Sequence, residues 1–212
     1  MTSHLRHFSK LLVIAAVVSA CVSCGDVVRD GKAPVLLVID KLTASRGGTS
    51  TGTASGFLNS DVLTIVTSPA PCSATAPCPT VFNDSGSVTL RMVLKDIGTV
   101  ANPTTPSTNN EVTLNRYHVV FRRSDGRNKP GVDVPYPFDG AATGTIASGG
   151  TLTLGFELVR HVAKEESPLV QLVSSPTIIS TIADITFYGQ DVVGNEISVM
   201  GSISVDFGNF GD

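Results

Sequence analysis

The chain has 212 residues, 42% of them apolar and only 16% charged, with 20 glycines, 12 prolines, four cysteines and no tryptophan. That apolar share is enough to bury the core of one sandwich-sized domain, and the scarcity of charge fits exported β proteins better than helical ones. The net charge of −3 argues against a nucleic-acid surface, which would need Lys and Arg to neutralise phosphates.

In chain order, the first element is a leader. Arg6, His7 and Lys10 precede an apolar run from Leu11 to Ala20. As a helix this run would span roughly 15 Å, too short for a bilayer core, so it reads as the apolar region of a signal peptide covering residues 1–20. It ends in Val18-Ser19-Ala20-Cys21. An aliphatic residue, two small residues and a cysteine resemble the lipobox of bacterial lipoprotein precursors. The resemblance implies diacylglycerol on the Cys21 sulfur, cleavage before Cys21, and a partner that is membrane lipid. Val22, where some family members carry a sorting Asp, resembles outer-membrane-sorted lipoproteins. The expected address is therefore the cell envelope, with the outer membrane favoured in a host with two membranes. Cys24 is a poorer acceptor, because Cys21 stands at its −3 position. Residues 21–34 read as the lipidated N-terminus and a tether. The 13 residues after Cys21 would reach about 40 Å at most.

Residues 35–212 read as an all-β domain. Period-two alternation places Val88, Leu90, Met92 and Leu94 on one face and Thr89, Arg91, Val93 and Lys95 on the other. It recurs at Leu152, Leu154, Phe156 and Leu158, and at Ile197, Val199, Ile203, Val205 and Phe207. Each pattern predicts a strand with one buried and one wet face. Further strands are predicted over residues 35–43, 61–66, 112–123 and 182–190. Within 112–123 the apolar register slips between Leu114 and Tyr117, which predicts a bulge near Asn115 and Arg116. A helical turn or two is expected at Ser167-Pro168-Leu169, with Ser as cap and Pro in first position. Residues 45–56, 96–110 and 124–150 are expected to be long loops, the kind that carries binding surfaces.

These elements predict an antiparallel two-sheet sandwich. The segment from Phe187 through Asp191, Gly194 and Asn195 to Asp206 resembles the closing hairpin of bacterial Ig-like domains, which implies an Ig-like sandwich. Gly194 and Asn195 would supply the positive φ of a tight turn. The domain exceeds a minimal Ig module, so long loops or a small extra sheet before Asn110 must account for the surplus.

Cys72 and Cys78, in Pro-Cys-Ser-Ala-Thr-Ala-Pro-Cys-Pro, predict a local disulfide in an oxidising compartment. Gly48-Thr49-Ser50-Thr51-Gly52 matches the G-x-S-x-G string of hydrolases, but no helix pattern follows it and chance accounts for it. His118 and His161 read as surface histidines with no carboxylate or nucleophile beside them in sequence. Glu165 and Glu166 read as loop solvation. Asp191 and Asn195 offer oxygen ligands for calcium without any supporting calcium motif. Five positive charges between Arg116 and Lys129 read as a solvated hairpin end. Tyr136, in Val134-Pro135-Tyr136-Pro137-Phe138, is the candidate ligand contact. No catalytic residue, metal or cofactor is expected. The functional expectation is a non-catalytic interaction or envelope-structural lipoprotein with a protein partner, the alternative being a small-ligand or glycan receptor.

Overall fold

A computed structural model describes residues 31–48 and 53–211. The leader, Cys21, Cys24 and Ser50 lie outside these residues. The architecture is an all-β sandwich. One sheet holds β1 (Val35–Ser45), β5 (Asp84–Leu94) and β8 (Thr151–Val159) in the order β1-β5-β8. The other holds β2 (Phe57–Asp61), β6 (Val112–Arg122), β7 (Phe138–Ile146), β9 (Ile179–Asp191) and β10 (Glu196–Gly208) in the order β2-β10-β9-β6-β7. A separate ribbon pairs β3 (Thr64–Val66) with β4 (Cys78–Thr80), and a disulfide joins Cys72 to Cys78. This ribbon is the extra sheet that the length of the domain required.

The alternating patterns fall where the sequence places them. Val88, Leu90 and Met92 are buried, as are Phe156 and Leu158, and Ile203, Val205 and Phe207. Fully burying such a side chain stabilises by roughly 1.5–3 kcal/mol. In the middle of the core, the Tyr117 ring lies 5.3 Å from Phe156 and 6.2 Å from Phe138, both edge-on, and Phe156 lies 5.3 Å from Phe187. Edge-on pairs satisfy the ring quadrupoles better than face-to-face stacks. The Tyr117 hydroxyl is kept from being an orphan by accepting the Glu157 N–H at 3.1 Å, and burial raises its pKa above the ordinary 10.0. The bulge is present: β6 shifts register between Leu114 and Arg116 against both β7 and β9.

Four expectations are corrected. The sheets are not wholly antiparallel, because β2 runs parallel to β10, with Asp61 opposite Gly208. Residues 61–66 are not one strand: β2 ends at Asp61 and β3 begins at Thr64. The stretch 124–150 is not one loop, because it contains β7. A helical turn does follow Pro168, as a 3-10 segment over Leu169–Ser174, and a separate short helix, α1 (His161–Glu165), precedes it. Ser167 does not cap that segment: Pro168 occupies the cap position after a cis Ser167–Pro168 bond, with no side-chain cap.

Register fixes which connections share an end. At the near end, Val35 pairs with Leu94, and Val112 pairs with both Ile146 and Asp191. The chain enters there, Lys95 N–H donating to the Pro34 carbonyl at 2.9 Å. The connection 95–111 and the turns 147–150 and 192–195 lie at this end. At the far end stand Ser45, Asp61, Asp84, Arg122, Phe138, Val159, Ile179 and Gly208. Connections 46–56, 62–83, 123–137 and 160–178 all leave from it.

Candidate functional site at the far end of the sandwich

The far end is organised around buried charge. Asp84 opens β5 with its side chain fully enclosed, and Lys164 of α1 is 2% exposed. The Lys164 Nζ lies 2.9 Å from Asp84 Oδ2. Ser60 donates its hydroxyl to the same oxygen at 2.6 Å, and Gly47 N–H donates to Asp84 Oδ1 at 2.8 Å. Asp61, at the end of β2, bonds the Arg46 guanidinium and accepts Phe210 N–H at 3.1 Å and the Thr64 hydroxyl at 3.3 Å.

Two ion pairs thus tie the segment after β1, the end of β2, the start of β5, α1 and the C-terminal residues into one knot. Burial pulls the Lys164 pKa below its ordinary 10.5, opposed by the attraction of Asp84 and Asp61. Charges taken out of water are tolerated only when paired and hydrogen-bonded, and every donor named here serves that end. The sequence reading missed this knot: Lys164 beside Glu165 and Glu166 looks like a solvated run, and Asp84 is eighty positions away.

At the same end the connections 123–137 and 160–178 form an open groove of about 320 Å³. Arg123, Arg127, Val132 and Asp133 line one side, Gln171 and Thr177 the other. Asp125 bridges the two arginines, with Arg123 Nη2 and Arg127 Nη2 each 2.8 Å from Oδ2. These bonds, that of Arg123 first, hold its carboxyl well below the usual carboxylate range. The basic cluster is therefore largely compensated: Arg122 binds Asp184, and Arg116 stacks over the Tyr188 ring at 3.8 Å while facing Asp139 at 3.6 Å.

Tyr136 leaves about half its surface in solvent. Its ring lies over Gly131, in whose place a Cβ would come within 2.3 Å of the hydroxyl oxygen. Gly131 has φ +74, so the turn and the ring both require glycine there.

His118 lies on the sheet surface, and there its Nδ1 is 3.1 Å from the Oδ1 of Asp139, a carboxylate distant in sequence. The unanticipated strand β7 brings Asp139 opposite His118. Their surroundings are the exposed outer face of the sheet, shared with Arg116. His161 opens α1 rather than ending a strand, and its backbone N–H donates to Asn83 Oδ1 at 2.5 Å. Asp191 is engaged by its own turn, accepting N–H groups of Val193 and Asn195 at 3.0 and 2.8 Å and the Asn195 amide at 2.8 Å. Of the two turn residues expected at positive φ, only Gly194 adopts it, at +81. Asn195 leads into β10 without a positive φ, its backbone and amide N–H groups both held by Asp191.

Among the described residues no group of three or more His, Cys, Asp or Glu side chains is placed to hold a metal ion. Among the same residues no helix is long and apolar enough to cross a membrane. No family model, curated protein or solved structure matches the chain.

Proposed function

We propose that this is an exported lipoprotein, fastened to a membrane through acylated Cys21, whose Ig-like sandwich acts as a non-catalytic interaction module of the cell envelope. The observation that carries the reading is the division of labour between the two ends. The chain enters the sandwich at the near end, and four long connections gather at the opposite end over a buried ionic base. A tether attached at the near end points those connections away from the lipid, toward a protein partner. The far-end groove supports a protein partner over a glycan. Arginine, carboxylate, amide and valine side chains line it, a mixture suited to peptide recognition, whereas Tyr136 lies over Gly131 instead of forming an aromatic platform.

Membrane fractionation of Cys21→Ser provides the test. The variant is expected in the soluble fraction or as an uncleaved precursor, and unchanged partition with the membrane would refute the anchor.

A further inference from the structure

Two tight turns at the near end carry aliphatic pairs where turns ordinarily carry Gly, Asn, Asp or Ser. The first is a small hairpin within the 95–111 connection. Thr99 and Asn102 exchange both backbone hydrogen bonds at 3.0 and 3.1 Å, and Thr104 N–H donates to the Ile97 carbonyl at 3.0 Å. Gly98, at φ +73, and the Asp96 carboxylate, which accepts Gly98 N–H at 2.8 Å, fix its base. Val100 and Ala101 occupy the tip. The second is the β9–β10 turn, where Val192 and Val193 sit between Asp191 and Gly194.

Ile97 is 74% exposed, Val100 fully exposed, Val192 58% and Val193 70%. A single exposed valine would need no explanation. Four exposed aliphatic side chains therefore stand on two hydrogen-bonded turns at the end where the chain enters, held out of the core by the fold.

What covers this rim follows from where the chain enters. Lys95 anchors residues 31–34 along the base of the first hairpin through its N–H to Pro34 and its Nζ to the Gly31 carbonyl at 2.9 Å. Nine residues, or ten steps along the chain, separate Gly31 from Cys21, a reach of about 33 Å at full extension. A chain lipidated at Cys21 therefore keeps this end within a few nanometres of the bilayer. We infer that the Ile97–Val100 hairpin and the Val192–Val193 turn are lipid-contacting tips that insert at the membrane interface and hold the sandwich upright. The inference rests on the proposed anchor. An acyl chain fixes only a point, and shallow apolar side chains beside it add partition energy and set orientation.

The full lipidated chain tests it. The variants Val100→Cys, Val193→Cys and, as a far-end control, Val132→Cys are each made in a Cys24→Ser background and labelled with an environment-sensitive fluorophore. The proteins are reconstituted in phosphatidylethanolamine–phosphatidylglycerol vesicles containing spin-labelled lipid. Quenching at positions 100 and 193 is expected to exceed that at 132 at least threefold. Equal quenching at all three positions, in protein that still floats with the vesicles, overturns the inference while leaving the anchor standing. Protein that fails to float removes the anchor and the inference together.

Discussion

The two ends of the sandwich reverse the chain by different means. At the near end two reversals are tight turns and the third, the 95–111 connection, folds back on itself in a small hairpin, so local hydrogen bonds suffice: the Thr99–Asn102 pair, the Asp191 carboxylate, and a backbone bond from Gly150 N–H to the Ala147 carbonyl. At the far end four connections of 11 to 22 residues come together, and closing each costs entropy that grows slowly with its length. There the chain adds two ion pairs, Lys164–Asp84 enclosed and Arg46–Asp61 partly so, and a local disulfide. Where a reversal is tight its tip is free to carry residues chosen for something else. Where it is loose, the fold itself consumes the polar groups.

The largest expected effect comes from cutting the knot. Lys164→Met should cost about 3–5 kcal/mol, because it strands the enclosed Asp84 charge. Denaturant unfolding would measure this, and a loss under 1 kcal/mol would mean that the far end does not depend on buried charge. Replacing Cys72 and Cys78 with serine should cost about 2 kcal/mol or less on the chain-entropy account. Because the bridge pins only the β3–β4 ribbon, the loss should first be seen as protease cleavage within residues 66–78, with the two main sheets intact. At the near end, Asp191→Ala should cost only about 1 kcal/mol, since the freed turn N–H groups can reach water. A larger loss would place that turn on the same footing as the far-end knot.

The smallest effect concerns pH. Burial pushes the Asp184 carboxyl up, but hydrogen bonds from Arg122 and Ser202 outweigh it, leaving the pKa below the ordinary 3.8. The unfolded chain therefore takes up this proton first. The stabilisation is present above pH 3.8 and is lost as pH falls through the lower folded value. Arg122 is half exposed, so solvent screening keeps its contribution small. Unfolding midpoints of Arg122→Ala and the parent should differ above pH 4 and converge in stronger acid.

The alternating strands were legible because one face of each meets the core directly. Even the bulge in β6 was written in the slip from Leu114 to Tyr117. β7 was not, and its neighbours explain why. Gly140 is small because a Cβ there would come within 2.2 Å of the Tyr117 ring, and Gly144 because Leu152 and Leu154 press against it. Its partners' side chains fill the space its own would take, so no apolar period remains. β2 was equally hidden: in Phe57-Leu58-Asn59-Ser60-Asp61 the enclosed Ser60 and Asp61 belong to the ionic knot, and a strand buried on polar groups carries no hydrophobic signature. The far-end groove was legible only as long loops, since its walls meet through tertiary packing.

The pairing of β2 with the last residues of β10, reinforced by the Phe210 N–H on Asp61, sets the order in which folding can finish. Made from its N-terminus, the chain can form the β1–β5 ladder as soon as Leu94 is present. It cannot seat its parallel edge strand, or complete the hydrogen bonds around Asp61, until residues 204–210 exist. The far end of the sandwich therefore closes last.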